Sequence, residues 1–315
     1  MATAIIATAY GGPEVLTAVE VEVPAPGPGE VTIEVRAAAV NPFDYKRYDG
    51  TFGTDPKLLP LRMGGELSGV VTAVGSDAVG PAGPIRVGDE VLTRVDGGAY
   101  ATALNARAAR VIPKPVEVSW EIAASIQSVG ATAVHTLAAT GVGSGDTVLI
   151  HGAAGSVGSI AAQLAVARGA RVIGTAAPSR HERLRSYGVE PVAYGPGLVD
   201  RVRALAPNGI DAAIDTVGTD EAVDVSLELV ADRPRIATIV AFGRSAQAGI
   251  KALGGGPGAD PGTEIRANAW RELLELLSAR KLDVVIAATY PLTEAAAAHR
   301  FVMEGHAGGK VILLP

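Results

Sequence analysis

The stretch Val148-Leu-Ile-His-Gly-Ala-Ala-Gly-Ser-Val-Gly158 decides the fold of this chain. An apolar run leads into a glycine-rich turn, after which Val157, Ile160 and Leu164 recur at the spacing of one helix face. A strand, a turn and a helix in this order open a βαβ unit, in which the helix N-terminus is suited to bind an anion. We therefore expect the turn to bind the pyrophosphate of a dinucleotide.

The glycines of this turn depart from the standard G-x-G-x-x-G fingerprint. The register gives Ala153-x-Gly155-x-x-Gly158, with Gly152 in front of it. Gly152 and Gly155 would let the main chain approach the phosphates, and Gly158 would let the helix pack close to the strand. A glycine-rich turn without a ligand is the alternative interpretation. The predicted cofactor contacts in this segment are Gly152, Ala154, Gly155, Ser156, Val157 and Gly158.

The end of the next predicted strand selects the dinucleotide. In an NAD site an Asp or Glu lies about 20 residues after the glycine turn and binds the ribose hydroxyls. Counting from Gly155 leads to Thr175, and no carboxylate follows directly. Ser179, Arg180 and Arg183 come next, and their hydrogen-bonding groups and positive charge suit a 2′-phosphate. The sequence therefore predicts NADP(H), with Thr175 as a further contact; ordinary solvated helix charges are the alternative for the two arginines.

The second half of the chain alternates apolar runs with helical patterns. This alternation predicts βαβ units and a parallel sheet with helices on both faces. The predicted strands are Thr147–His151, Arg171–Thr175, Pro191–Tyr194, Ala212–Asp215 and Ile236–Ala241. The predicted helices are Trp120–Ser125, Ala131–Ala139, Val157–Arg168, Glu182–Tyr187, Leu198–Ala206, Glu221–Val230 and Asn268–Ala279. Gly249–Gly262 is expected to form neither strand nor helix, but a surface loop or a mobile flap.

The first third of the chain shows short strand patterns separated by glycine and proline. Glu30–Ala37 alternates as a half-buried strand does, and Leu67–Val74 and Glu90–Thr93 are further predicted strands. This pattern predicts a compact β-barrel-like unit, to which a final strand, Lys310–Leu314, would return. We therefore expect an α/β protein of two domains, 1–118 with 288–315 and 119–287.

Composition excludes several classes of function. The net charge of −6 argues against nucleic acid as the main partner, and the absence of cysteine excludes disulfides and thiolate zinc sites. The start of the sequence has no signal-peptide pattern, and no run approaches the roughly 18–20 apolar residues of a membrane helix. We therefore expect a cytoplasmic protein that does not interact with a membrane.

Several ordered motifs extend through the chain: Tyr10-Gly-Gly-Pro-Glu-Val-Leu16, Val40-Asn-Pro-Phe-Asp-Tyr-Lys46, Gly64-Gly-Glu-Leu-Ser-Gly-Val-Val71, Val87-Gly-Asp-Glu-Val91, Ile150-His-Gly-Ala-Ala-Gly-Ser-Val-Gly158 and Gly309-Lys-Val-Ile-Leu313. In these motifs the chain resembles the zinc-independent quinone oxidoreductase branch of the medium-chain dehydrogenases/reductases. The resemblance implies a Rossmann doubly wound parallel sheet domain together with a GroES-like, β-barrel-like catalytic domain. It also implies an enzyme without zinc, because Asn41 and Gly65 stand where zinc-dependent relatives have a cysteine and a histidine.

The resemblance further implies residues around the cofactor and in the substrate cleft. With it, the predicted cofactor contacts extend to Thr132, Tyr194, Val217, Ala241, Phe242, Gly243 and Lys310. We hypothesise that Asn41 donates a hydrogen bond toward a cofactor ribose or a substrate oxygen, and that Tyr45 or Lys46 assists as a donor or proton source. A turn residue is the alternative for Asn41, and packing or surface exposure for the other two. Family grounds also imply a homodimer, although Gly249–Gly262 occupies part of the edge through which relatives pair.

The predicted reaction is hydride transfer from NADPH to a small hydrophobic acceptor. Without zinc no Lewis acid polarises a simple carbonyl, which favours quinones and α,β-unsaturated carbonyls. A reductase of an acyl-thioester enone or a specialised metabolite, and a non-catalytic NADPH-binding sensor, are the alternatives. The histidines show no close ligand spacing, and we expect His151 to shape the turn; the full set is His135, His151, His181, His299 and His306.

Overall fold

The structure, a computed structural model, describes residues 1–256, 258–305 and 307–315. The chain divides into two compact units, unit 1 (1–128 and 284–315) and unit 2 (129–283). The predicted domain boundaries at 118/119 and 287/288 stay predictions. His306, and Pro257 of the segment Gly249–Gly262, lie outside the described residues.

The strands and helices of the described residues are numbered here in chain order. The strands are β1 Ala2–Ala7, β2 Leu16–Val21, β3 Glu30–Val40, β4 Leu61–Arg62, β5 Glu66–Val74, β6 Val79–Gly80, β7 Gly83–Pro84, β8 Glu90–Arg94, β9 Ala103–Arg107, β10 Val111–Pro113, β11 Thr147–His151, β12 Arg171–Thr175, β13 Glu190–Val192, β14 Ala212–Asp215, β15 Ile236–Thr238, β16 Lys251–Ala252, β17 Ile286–Pro291 and β18 Lys310–Leu314. The helices are α1 Pro42–Lys46, α2 Trp120–Thr140, α3 Ser156–Ala167, α4 His181–Ser186, α5 Leu198–Leu205, α6 Asp220–Leu229, α7 Phe242–Ala248, α8 Thr263–Asn268, α9 Trp270–Ser278 and α10 Ala295–Met303.

Unit 2 contains a parallel sheet with the strand order β13-β12-β11-β14-β15-β16. Its central strands are apolar and buried on both faces, as strands covered by helices are. The order reverses between β11 and β14, and ligands of such sheets bind at the carboxyl ends of strands at this switch point. The prediction of a Rossmann doubly wound sheet is confirmed, and the glycine-rich turn lies at the switch point.

Strand β15 is shorter than the predicted Ile236–Ala241, because the Thr238 side chain ends it. The Thr238 hydroxyl accepts the N–H groups of Val240 at 3.1 Å and Ala241 at 2.9 Å, which turns the main chain out of the sheet. Helix α7 then begins at Phe242. A side chain that accepts two main-chain donors competes with the sheet ladder, which an apolar pattern alone does not reveal.

Two other expectations in unit 2 are corrected. Within the segment Gly249–Gly262, Lys251–Ala252 form β16, which pairs in parallel with β15, and Leu253 and Asp260 form an isolated parallel bridge. Strand β13 ends at Val192, so that Tyr194 lies in the following loop.

Helix α2 unites the two helices that the pattern predicted separately. It is continuous across Gly130, because one glycine costs a helix only about 1 kcal/mol when tertiary packing supports it. By length and composition alone, α2 is long and apolar enough to cross a membrane, contrary to the expectation that no apolar run approaches that length. Most of that span is buried inside the protein.

Unit 1 is built around the long strand β3. The main sheet has the order β10-β8-β5-β3-β18-β17, with β9 also paired to β3, and a smaller sheet joins β2, β1 and β4. The prediction that the final strand returns to the first domain's sheet is confirmed, since β18 pairs antiparallel with β3. Because β5 and β18 flank β3, the residues at the end of β3 meet the residues that open both neighbours.

Candidate active site

The glycine turn (Gly152–Gly158) is a main-chain cradle with no room for side chains at its base. Gly152 has φ +74°, a conformation that favours glycine, and its carbonyl oxygen accepts the Gly155 N–H at 2.9 Å. A Cβ atom on Gly158 would lie against the same carbonyl. Helix α3 begins at Ser156, so its first N–H groups and its positive dipole end lie at the turn. This geometry suits a pyrophosphate.

Threonines at the ends of neighbouring strands hold the turn in place. The Thr175 hydroxyl accepts the Gly152 N–H at 3.0 Å, and its carbonyl accepts the Ala153 N–H at 3.0 Å. The Thr216 hydroxyl donates to the His151 carbonyl at 2.7 Å. Thr175 is buried, so the structure places this predicted cofactor contact beneath the turn as its support.

Arg183 brings positive charge to the glycine turn. Its Nη2 donates to the Ala154 carbonyl at 2.9 Å from helix α4. Ser179 is exposed and Arg180 half-buried, both on the single helical turn that joins β12 to α4. The nearby Glu182 is exposed on α4. Among the three residues predicted for a 2′-phosphate, Arg183 therefore hydrogen-bonds to the turn itself.

Asp215 fixes the segment after β14, where Val217 was predicted to meet the cofactor. Its Oδ1 accepts the N–H groups of Val217 and Gly218, both at 2.9 Å, and its Oδ2 accepts the Thr238 hydroxyl at 2.7 Å. Through Thr238 the same carboxylate also fixes Ala241 at the start of α7. Sequence reasoning missed Asp215; an acid that ends a wholly apolar strand was the available signal.

His151 is buried beside Asp215 at the end of β11. The two residues are register partners, and the His151 Nε2 has no hydrogen-bond partner among the described residues. Burial lowers the pKa of His151, and the nearby charges of Asp215 and Glu221 oppose this only partly. His151 is therefore neutral at neutral pH.

The remaining predicted cofactor contacts of unit 2 differ in their surroundings. The Thr132 hydroxyl accepts from the Arg266 guanidinium at 3.1 Å, whereas Tyr194 is 58% exposed. Phe242 and Gly243 form the first turn of α7.

The strands of unit 1 bring Asn41, Glu66 and Lys310 together; we call these residues the Asn41 cluster. Val311 is the register partner of Val40, and Leu67 is that of Ala38. Asn41 follows β3 directly, while Lys310 and Glu66 open the two strands that flank it. The contact follows from sheet register, although the residues are far apart in sequence.

The Asn41 cluster orients the Asn41 amide. Lys310 Nζ donates to Asn41 Oδ1 at 2.7 Å, and Asn41 Nδ2 donates to Glu66 Oε1 at 2.9 Å. Lys310 and Glu66 form an ion pair at 3.0 Å and are 3% and 1% exposed at the side chain. The Ser128 N–H donates to Glu66 Oε2 at 2.8 Å. The structure thus places Lys310, predicted as a cofactor contact, in the support of Asn41, together with Glu66, which sequence reasoning missed.

Helix α1 carries the other predicted catalytic side chains. Tyr45 packs against the hydrophobic core of unit 1, and burial raises the pKa of its phenol, with the charge of Asp49 adding to the effect. Lys46 is half-buried at the end of α1. Tyr45 and Lys46 both belong to α1, which begins directly after Asn41.

Known proteins resemble the chain over its full length. Residues 27–116 match the model for an alcohol dehydrogenase GroES-like domain, and residues 187–313 match the model for a zinc-binding dehydrogenase. Quinone oxidoreductase 1 of Escherichia coli is 31% identical over 337 residues, with 100% of both chains covered. A quinone oxidoreductase of Pseudomonas aeruginosa is 32% identical, again with 100% of both covered. The structure of the Escherichia coli quinone oxidoreductase complexed with NADPH has a TM-score of 0.85 at 28% identity, covering 99% of this chain and 100% of that one.

Proposed function

Because the chain belongs to the quinone oxidoreductase family of the medium-chain dehydrogenases/reductases, we propose that it is an NADPH-dependent oxidoreductase that reduces a quinone or a conjugated enone without zinc. The observation that carries this proposal is the glycine turn with Arg183 against it and no carboxylate directly after β12. A turn of this kind suits a dinucleotide, and the positive charge suits the 2′-phosphate that distinguishes NADPH from NADH.

NADPH, when bound, supplies the hydride. The main-chain N–H groups of the glycine turn would hold the pyrophosphate, and Arg183, Arg180 and Ser179 would hold the 2′-phosphate. The segments that Asp215 fixes, at Val217 and Ala241, would position the rest of the dinucleotide.

Asn41 is our proposed donor to the oxygen that becomes negative as the acceptor takes up hydride. A fixed N–H group stabilises such charge without having to reorient during the reaction. The Asn41 amide is fixed in this sense, because Lys310 holds its oxygen and Glu66 holds one of its N–H groups. The second N–H would then serve the acceptor or a ribose oxygen, and Tyr45 or Lys46 would supply the proton that completes the reduced product.

The residues at the ligand positions of zinc-dependent relatives do not fit a zinc ion. Asn41 is an amide, Gly65 has no side chain, and the Lys310 ammonium lies 2.7 Å from Asn41 Oδ1, where it would repel a second cation. Within residues 1–256, 258–305 and 307–315 no group of three or more potential ligands from His, Asp and Glu converges. We therefore propose chemistry without a metal.

The test is consumption of NADPH with benzoquinone, phenanthrenequinone and methyl vinyl ketone as acceptors. We expect turnover with at least one acceptor, a clear preference for NADPH over NADH, and no loss of rate after treatment with a chelator. Tight NADPH binding without turnover on any acceptor would instead favour a sensor. A homodimer and a cytoplasmic location stay predictions.

Replacement of Asn41 tests the proposed donor. Asn41→Ala should lower kcat/KM severalfold or more, because the group that stabilises the developing charge is lost. Asn105→Ala is the matched control, since Asn105 binds Thr32 and the Pro24 carbonyl at another part of unit 1. Parental kinetics for Asn41→Ala on a good acceptor would remove Asn41 from the mechanism.

A further inference from the structure

Four buried side chains of unit 1 form a row of hydrogen bonds that the proposed reaction has not used. Tyr48 Oη lies 2.7 Å from His299 Nδ1, His299 Nε2 lies 3.2 Å from Tyr100 Oη, and Tyr100 Oη lies 3.0 Å from Asp44 Oδ2. Each of the four is at most 2% exposed. We call Tyr48, His299, Tyr100 and Asp44 the buried relay.

The buried relay ends on the main chain of Asn41. Asp44 Oδ2 accepts the Asn41 N–H at 2.8 Å, so the same oxygen receives both Tyr100 and Asn41. The Asn41 residue is therefore held twice, through its amide by Glu66 and Lys310, and through its main chain by Asp44.

The direction of every hydrogen bond in the buried relay follows from the Asp44 carboxylate at one end. The Tyr100 hydroxyl has one hydrogen, and if it is donated to the Asp44 carboxylate, the Tyr100 oxygen must accept from His299 Nε2–H. In a neutral imidazole Nδ1 is then the acceptor, and it receives the Tyr48 hydroxyl. Burial lowers the pKa of His299 to about 4, which agrees with a neutral ring.

The fold makes room for this arrangement at a position that tolerates only glycine. Gly64 has φ +85°, and a Cβ atom there would overlap the Tyr100 ring. The His299 ring also lies edge-on to Tyr100 and nearly parallel to Tyr48, with centroids 5.7 and 5.6 Å away. Packing therefore fixes the three rings as well as their hydrogen bonds.

We propose that the buried relay is a positioning device that aims the Asn41 amide, with Tyr100 and His299 as its positioning residues. This inference rests on the proposed role of Asn41. The relay keeps Asp44 as a hydrogen-bonded acceptor for the Asn41 N–H. When the hydrogen bond from the Asn41 N–H to Asp44 weakens, the main chain at the end of β3 becomes less fixed, and the Asn41 amide is no longer held in one orientation.

The strength of the hydrogen bond from Asn41 to Asp44 depends on pH, because it depends on the charge of Asp44. Burial raises the pKa of Asp44 to about 6, while the bonds from Asn41 and Tyr100 lower it. Glu66 raises it and Lys310 lowers it through their charges. The groups that face Tyr48 from outside the relay are the charged side chains Asp49, Glu14 and Arg300. A rise in pH through about 6 therefore ionises Asp44 and strengthens its hold on Asn41.

The experiment measures kcat and KM against pH with NADPH and phenanthrenequinone. Tyr100→Phe should lower kcat about tenfold with little change in KM, the effect of one hydrogen bond to a charged group. It should also move the acid limb of the profile to higher pH, because the pKa of Asp44 rises without the Tyr100 bond. Asp44→Asn keeps an acceptor oxygen and should flatten that limb. Tyr10→Phe, which removes a phenol that donates to the Asp55 carbonyl, is the control that should change neither.

A second measurement needs no variant activity. Nitrogen-15 NMR of the unmodified protein should show His299 as the neutral Nε2–H tautomer at neutral pH, with His299→Gln used to assign its signals. The Nδ1–H tautomer would overturn the proposed direction of the relay. A parental pH profile for Tyr100→Phe beside an impaired Asn41→Ala enzyme would overturn the relay alone. Parental kinetics for Asn41→Ala would overturn the proposed role of Asn41 itself.

Discussion

The glycine turn is made of main chain from one short stretch of sequence. The Asn41 cluster is made of side chains at the ends of three neighbouring strands that are far apart in sequence. The turn can form because Gly158 has no side chain to meet the Gly152 carbonyl, and because the Gly155 N–H donates a hydrogen bond to that carbonyl. The cluster works because Lys310 and Glu66 neutralise each other while orienting an amide. The comparison teaches that a main-chain site has little tolerance at single positions, whereas a side-chain site can be taken apart one interaction at a time.

The largest effect should come from a methyl group at the base of the turn. Gly158→Ala places a Cβ atom against the Gly152 carbonyl, so that α3 must shift away from β11. We expect loss of stability of about 1–3 kcal/mol and loss of most NADPH affinity. Calorimetry and thermal melting measure both. Gly143→Ala is the matched control, since a Cβ atom there meets nothing within 4 Å; equal behaviour of the two variants would contradict the cradle.

The next effect should come from one half of the buried ion pair. Lys310→Met leaves Glu66 charged and buried, which typically costs about 3–5 kcal/mol, measured by denaturant unfolding. The double variant Lys310→Met/Glu66→Gln should recover much of that stability but not the activity, because Asn41 stays unoriented. Arg203→Met, which breaks the exposed pair with Glu228, should cost less than about 1 kcal/mol. Full activity in the stable double variant would refute the orienting role.

A smaller and selective effect is expected beside the turn. Arg183→Ala should weaken NADPH binding roughly tenfold and NADH binding much less, because the guanidinium is proposed to meet the 2′-phosphate. Titration of each nucleotide by fluorescence gives the two dissociation constants. Arg185→Ala changes an exposed arginine of the same helix and serves as the comparison. An equal loss for both nucleotides would assign Arg183 to the turn alone.

The smallest effect is a change in how stability depends on pH. The pKa of His151 lies below its ordinary value of 6.5 in the folded state, so the unfolded chain takes up a proton first as the pH falls. Its contribution to stability is present above pH 6.5 and is lost as the pH falls below that value. His151→Gln should reduce the slope of unfolding free energy against pH in this acid range. An unchanged slope would mean that His151 is not buried neutral.

The same comparison explains how much of the fold could be predicted from sequence. The bounds of β11, β12, β14 and β18 agree with the prediction, because each apolar run is flanked by turn residues a few positions away. Strand β15 was predicted too long, because its end depends on the Thr238 hydroxyl and not on hydrophobicity. The strands β1 and β2 were not predicted at all.

The site divides in the same way. The glycine turn could be predicted because its residues are neighbours in sequence, and spacing alone conveys their geometry. The partners of Asn41 could not, because only the register of β3 with β5 and β18 brings Glu66 and Lys310 to it. Tyr100 and His299 are also far apart in sequence, and the sequence shows at these positions only an isolated tyrosine and a histidine in an alanine-rich helix.

The hydroxyl of Thr238 also determines how long β15 can become. Valine has nearly the same shape as threonine but cannot accept the N–H groups of Val240 and Ala241 or donate to Asp215. In a Thr238→Val chain the residues after position 238 would be free to continue β15 as an extended strand between β14 and β16. The hydroxyl oxygen of Thr238 therefore terminates β15. Its removal would lengthen this strand and remove the bend from which α7 begins.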